Sequence, residues 1–265
     1  MTETALRFTT DVLHPNITNN ILASFRAKGY AVIPDVFVRD SVDAYLDAVR
    51  GQLVVDEATG KKRMPLDVPE AVAPLLAPKV RALLPGVFSP YSMANLPSVH
   101  EVAWLIKPGG AEPNDSDGWH KDRGHEGAPG GYSYPLDVHV GMYFRDMTLA
   151  DGPTQVVPGS HMDPSLTPQT GPVESFLARK QDVVLWDQRL WHRGSPRTAE
   201  GDRIFALYGF YPLPRFLTGQ PVQMPKSLAA LWDTATDPQD RLYYGGIWTR
   251  SVSPDRSRFW NWQGD

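Results

Sequence analysis

The chain has 265 residues, 42% of them hydrophobic and 21% charged, with a net charge of −4, a pI near 6.0 and no cysteine. This suits one large hydrophobic core, expected as a single domain over residues 1–265. A weakly acidic surface offers no general field to nucleic acid or anionic membranes, and the missing thiols exclude disulfides, thiolate metal sites and a cysteine nucleophile. No stretch approaches the roughly 18 apolar residues of a membrane span. Met1 to Pro15 carries Glu3 and Asp11 and no apolar run, unlike a secretory signal. The expectation is a cytoplasmic protein.

Ile17 to Gly29 predicts a helix, with Thr18 as its cap, Ile21, Leu22 and Phe25 as its apolar face and Gly29 as its end. Tyr30 to Pro34 follows as a short strand closed by proline. Ser41 is the expected cap of a second helix, in which Val42, Tyr45, Leu46 and Val49 share one face. Pro69 to Leu84 gives shorter helical pieces that Pro78 and Pro85 interrupt and end. From about Tyr91 the pattern changes to short apolar runs between turn residues: Val102–Ile106, Val138–Phe144, Thr154–Val157, Asp182–Trp186 and Ile204–Tyr211. This predicts an antiparallel sandwich or barrel behind N-terminal helices. Asn114–Asp117 and Gly124–Pro135 read as loops, where function tends to lie.

Three features carry chemistry. In Trp119-His120-Lys121-Asp122, residues i and i+2 of a strand point to one face, so His120 and Asp122 can present an imidazole and a carboxylate to one metal. Alone, such a pair is unspecific. Asp182–Trp186 is a run of strand formers leading to His192. Two histidines and a carboxylate form the facial triad of non-haem iron(II) oxygenases, with coordination positions left open. Third, turn formers Gly194, Ser195, Pro196 and Gly201 lie between His192 and Arg203. A symmetric reversal there would set Arg203 opposite His192, aimed at the same cavity, where a guanidinium can grip a carboxylate bidentately.

Together these features resemble the phytanoyl-CoA dioxygenase-like family of iron(II)/2-oxoglutarate oxygenases. The resemblance is carried by His120 and Asp122, by the run from Asp151-Gly152-Pro153 to Pro158-Gly159-Ser160-His161, by His192 followed eleven residues later by Arg203, and by Gly29 to Phe37. It spans roughly residues 17 to 215 and implies a mainly β fold. That fold is a double-stranded β-helix, the cupin-like jelly roll, with flanking helices. Residues 216–265 would be an extension packing on the barrel. The resemblance also implies iron(II) held by His120, Asp122 and His192, 2-oxoglutarate anchored by Arg203, and dioxygen as second co-substrate. Trp119 and Thr154 are further candidates to line the co-substrate site. Three departures touch secondary contacts: Asp151 stands where asparagine is common, Gly194 where some relatives carry serine, and Ile204-Phe205 leaves no hydroxyl two residues beyond Arg203. Related halogenases replace the carboxylate ligand by a small residue, so Asp122 argues against halogenation.

The implied reaction is oxidation of an unactivated C–H bond of a small molecule, such as a secondary metabolite, with no nucleic-acid or membrane partner. The alternative is a non-redox cupin-like isomerase or binding protein, which has no need of Arg203. His161 reads as structural, His125 as a loop histidine, and His139 as a packed or solvated strand residue; His14 and His100 show no partner pattern. Trp104 and Trp119 flank the site in sequence. The aromatic run of Trp232, Tyr243, Tyr244, Trp248, Phe259, Trp260 and Trp262 is expected to pack on the barrel.

Overall fold

The N-terminal helices begin earlier than their apolar periodicity suggests. In the computed structural model, which describes residues 6–57, 60–88, 97–109, 118–122, 135, 137–212 and 226–245, α1 covers Pro15–Lys28. Its cap is His14, whose ring accepts from the Asn16 N–H at 3.2 Å, and Thr18 lies inside the helix. Pro15 accounts for the shift: at the first position its fixed φ suits the helix and its missing N–H is no loss. Strand β1 is Tyr30–Ile33, and α2 is Arg39–Gln52. Ser41 does not cap α2. Its hydroxyl donates back to the Val38 carbonyl at 2.7 Å and accepts from the Arg7 N–H at 3.0 Å, so a tertiary partner has claimed it. The predicted face holds: Val42, Tyr45 and Val49 are buried and Leu46 packs against the same core.

A hairpin of β2 (Val54–Val55) and β3 (Lys62–Arg63) leads to two 3-10 turns, Pro69–Ala71 and Ala73–Leu76, and then to α3 (Pro78–Phe88). Pro78 opens α3 rather than interrupting it, and Pro85 lies within it rather than ending it. Continuing past Pro85 buries Val87 and Phe88, which offsets the roughly 3 kcal/mol that an interior proline costs.

The remaining strands form two antiparallel sheets. β4 (Pro97–Lys107), β5 (Val138–Tyr143), β8 (Val183–Asp187) and β10 (Arg203–Pro212) join β1 in the order β1-β8-β5-β10-β4. β6 (Thr154–Val156), β7 (Glu174–Ser175) and β9 (His192–Gly194) form a smaller sheet in the order β7-β6-β9. This is a jelly roll with flanking helices. Side-chain alternation divides the large sheet cleanly. Ile204, Ala206, Tyr208 and Phe210 of β10 join Val138, Val140 and Met142 of β5 in the core shared with the helices. Phe205 and Leu207 face the other way, with Tyr143 and Trp186, into a second cluster between the sheets.

The pairing of β4 with β10 contains one irregularity. Glu101 is opposite Gly209 and Val99 is opposite Phe210, so His100 is an extra residue. This bulge lets the adjacent His100 and Glu101 both face the inter-sheet space. α4 (Lys226–Thr234) and α5 (Pro238–Gly245) pack on the back of the large sheet: Tyr243 donates to the Leu75 carbonyl at 3.2 Å and its ring lies 5.4 Å from that of Phe210. Trp232, Tyr243 and Tyr244 are buried there. Trp248, Phe259, Trp260 and Trp262 lie outside the described residues.

Candidate active site

A cavity of about 660 Å³ opens between the two sheets. Its lining comes from both: His139, Trp186, Arg203 and Phe205 from the large sheet, Thr154 and His192 from the small one.

His120 and Asp122 are not on a regular strand. His120 makes an isolated antiparallel bridge with His192, through N–H to carbonyl bonds of 3.0 and 2.9 Å in the two directions. The pair is thereby fixed without a full strand, and the rings stand 4.3 Å apart. Each ring has one nitrogen committed to backbone: His120 Nδ1 to the Gly118 carbonyl at 2.7 Å, His192 Nδ1 to the Leu190 carbonyl at 2.9 Å. That fixes ring orientation and leaves both Nε2 atoms toward Asp122, at 3.6 Å from Oδ1 and 3.2 Å from Oδ2. Ligand atoms of His120, Asp122 and His192 all lie within 4.8 Å of one another, and no other such group occurs among the described residues. Burial works to raise the Asp122 carboxyl, but the hydrogen bond and charge of His192, with His139 and His120, outweigh it and hold it below the usual carboxylate range. Two imidazole nitrogens and a carboxylate in this arrangement suit a divalent transition metal. Lys121 turns away, donating to the Ser160 carbonyl at 2.7 Å.

Arg203 reaches the same cavity by another route than the sequence suggests. His192 and Arg203 are not opposed: β9 pairs with β6, and Arg203 faces Lys107 of β4. The intervening segment is not a tight reversal, because it is pinned to the turn before β6. The Ser195 N–H donates to the Pro153 carbonyl at 3.1 Å, and those of Thr198 and Ala199 to the Ala150 carbonyl at 2.9 Å. It thus carries the chain from the small sheet to the large one, and both residues line the cavity from facing walls. Arg203 is 3% exposed and donates to the Gly152 carbonyl. Thr154 lines the same cavity, its hydroxyl accepting from Tyr143 at 2.8 Å.

Trp119 is not on the cavity wall; its ring lies 4.8 Å from the Arg193 guanidinium. Trp104 stacks on Phe144 in the core behind the sheet. His161 is structural, buried against Gly29 and within 3.2 Å of the Arg26 carbonyl. His125 lies outside the described residues. Sequence reasoning passed over His139, Glu101 and His100, all of which line the cavity. One signal was present: a histidine between Val138 and Val140, on the face opposite their buried side chains, is an anomaly in an otherwise apolar strand.

Among known proteins, the family model described as Phytanoyl-CoA dioxygenase matches residues 25–205. No curated protein sequence matches the chain. Solved structures similar to it include AviO1 from Streptomyces viridochromogenes Tue57, at 20% identity over 76% of this chain and 96% of that one, with a TM-score of 0.54. HygX from Streptomyces hygroscopicus, solved with nickel, 2-oxoglutarate and hygromycin B, is 19% identical over 73% and 86% of the two chains, with a TM-score of 0.56. EctD from S. alaskensis, solved with 2-oxoglutarate and 5-hydroxyectoine, is 20% identical over 79% and 83%, with a TM-score of 0.58. At such identities these likenesses establish the fold. The family match covers most of the chain, and with the clustered histidines and carboxylate it settles the class: the protein belongs to the phytanoyl-CoA dioxygenase family and is an iron(II)- and 2-oxoglutarate-dependent oxygenase.

Proposed function

We propose that His120, Asp122 and His192 hold the iron, that Arg203 anchors the far carboxylate of 2-oxoglutarate, and that the enzyme oxidises an unactivated C–H bond of a small molecule. The outcome is hydroxylation, or ring closure, epimerisation or desaturation. The observation that carries this reading is the convergence of three ligand atoms within 4.8 Å on one wall of a cavity that Arg203 enters from the facing sheet. Iron(II) and 2-oxoglutarate held by these residues would supply the power to oxidise a C–H bond with dioxygen. The protein's part is placement. Backbone carbonyls orient both histidines, and the Gly152 carbonyl steadies Arg203. Trp186, Phe205 and Leu207 give the cavity apolar walls that limit water near the reacting atoms. A small substrate is supported by the cavity's volume of about 660 Å³, which is in the range of small-molecule sites. It is supported also by the hygromycin B and 5-hydroxyectoine held by the similar structures. Secondary metabolism is the favoured context for such a substrate.

The test is the visible spectrum of the apo-protein without oxygen. Iron(II) and 2-oxoglutarate together are expected to produce a weak metal-to-ligand charge-transfer band that neither gives alone and that His120→Ala abolishes. A folded, iron-loaded protein with no such band would exclude chelation at this site.

A further inference from the structure

Outside the three proposed ligands, the most highly organised polar group in the cavity is the pair His139 and Glu101. Its origin lies in the strand register. Gly209 of β10 is opposite His139 of β5 on one side and Glu101 of β4 on the other. The two side chains therefore flank Gly209 on one face of the sheet. Strands two apart are separated by roughly 9.6 Å, a gap that a glutamate and an imidazole can close only if the strand between them carries no side chain. They do close it: His139 Nε2 is 3.1 Å from Glu101 Oε2. A Cβ on Gly209 would stand 2.9 Å from that of Glu101 and 2.8 Å from the His100 ring, so the gap is already filled by the residues that need it.

The other edge of the imidazole faces the proposed metal site. His139 Nδ1 lies 3.4 Å from Asp122 Oδ2 and has no hydrogen-bond partner, although the residue is only 4% exposed. Its ring plane is set by an edge-on contact with Trp186, with centroids 5.1 Å apart and planes at 72°. A buried ring nitrogen aimed at a carboxylate, in a ring fixed on its remaining sides, is the arrangement by which neighbouring groups orient metal ligands. The hydrogen bond with His139 also holds the Glu101 carboxyl below its ordinary range.

We infer that His139 is a positioning residue for Asp122, held in place by Glu101 across the gap at Gly209. It fixes which carboxylate oxygen is offered to the metal. This rests on the assignment of Asp122 as a ligand. His139 itself is outside the cluster of ligand atoms, so its removal weakens the site without emptying it.

The decisive variants exploit ring geometry. In His139→Asn the amide nitrogen can occupy the place of Nδ1, toward Asp122. In His139→Gln it extends toward the place of Nε2, near Glu101. His139→Leu keeps bulk without polarity. Cobalt(II) affinity of each apo-protein, from the visible bands of the bound ion, is measured alongside the iron(II)/2-oxoglutarate band, with circular dichroism reporting the fold. The expected result is a cobalt affinity lower by about tenfold or more in His139→Leu and His139→Gln, substantially restored in His139→Asn, with Glu101→Gln in between and the charge-transfer band shifted in the same order. Two results overturn the inference: unchanged affinity and band in folded His139→Leu, or equal losses in the Asn and Gln variants, which would mark His139 as a packing residue. If the wild-type protein gives no band and Asp122→Ala leaves cobalt binding intact, the ligand assignment fails and the inference with it. Should His139→Leu not fold, the Asn and Gln comparison decides alone.

Discussion

The guanidinium proposed to grip 2-oxoglutarate must first be held itself, and Arg203 is held by a turn. Its acceptor is the carbonyl of Gly152, which has φ of +66° and where a Cβ would stand 2.8 Å from the Ser195 carbonyl oxygen. Only glycine fits. The preceding residue, Asp151, departs from the asparagine common in the family, and the structure explains the change. One carboxylate oxygen accepts from the Thr148 N–H and hydroxyl at 3.0 and 2.6 Å, while the other accepts from Arg145 at 2.7 Å. An amide could serve Thr148 but would offer Arg145 nothing as strong. Burial works against the Asp151 charge, yet these partners outweigh it and depress the carboxyl. The sign follows: with the folded-state value below the unfolded one, the stabilisation is complete above the unfolded value of about 3.9 and is lost as pH falls through the folded value. Asp151→Asn is therefore expected to lose about 1 kcal/mol at neutral pH and less further stability than wild type on acidification, in urea melts followed from neutral to acid pH. Parallel acid profiles for the two proteins would refute it. Type and spacing sufficed to single out His120, Asp122, His192 and Arg203, which the structure brings to one cavity. Glu101 and His139 were not legible in this way, since their relation passes through a third strand and no local pattern records it.

β1, β4, β5, β6, β8 and β10 were legible because each contains a short apolar run between turn formers; β2, β3, β7 and β9 carry no such run, and the pairing partners were not legible. The equal spacing of His192 and Arg203 about a turn suggests a hairpin, but backbone donors from 195, 198 and 199 tie that segment to residues 150–153, and the two residues end in different sheets. The β4 bulge was equally hidden, since an extra residue is defined only by the strand opposite. It makes an unusual expectation possible. Val99 and Val102 both face the core, although the odd spacing of three would place them on opposite faces of a regular strand. His100 absorbs the difference. Deleting His100 leaves Val99 opposite Phe210 and Glu101 opposite Gly209, at the expense of the 3.4 Å contact between His100 and Asp137. Deleting Val102 instead closes the bulge by moving the Glu101 carboxylate into the core position opposite Tyr208. The His100 deletion is expected to fold and to keep the iron(II)/2-oxoglutarate band, and the Val102 deletion to be insoluble or unfolded. Thermal melts and the spectrum decide; comparable damage from both would mean that the bulge is required for the sheet to form.

At the level of the molecule, the helices pack behind the large sheet and make a rigid back wall, while the smaller cluster of Tyr143, Met147, Phe176, Trp186 and their neighbours joins the two sheets. The proposed ligands reinforce that second junction. His120 and Asp122 meet the small sheet through the bridge to His192, and Arg203 belongs to the large one. A metal held by the proposed ligands would tie residues 120–122 to β9, and an oxo-acid bound to it and to Arg203 would tie β9 to β10. Ligands that bind only the folded state stabilise it by mass action, by about 2.7 kcal/mol at a concentration one hundred times the dissociation constant. For a chain of this length that corresponds to roughly 5–10 °C in Tm. The order of addition carries the information. Metal alone should raise Tm, 2-oxoglutarate alone should scarcely move it because it then lacks the metal to chelate, and the two together should exceed the metal-only shift. By reciprocity, the metal must tighten 2-oxoglutarate binding by the same factor as 2-oxoglutarate tightens the metal. Arg203→Ala should keep the metal-only shift and lose the added one, whereas Asp122→Ala should lose both. A 2-oxoglutarate shift of equal size without metal would mean that the oxo-acid binds elsewhere, and that the two sheets are not bridged through this site.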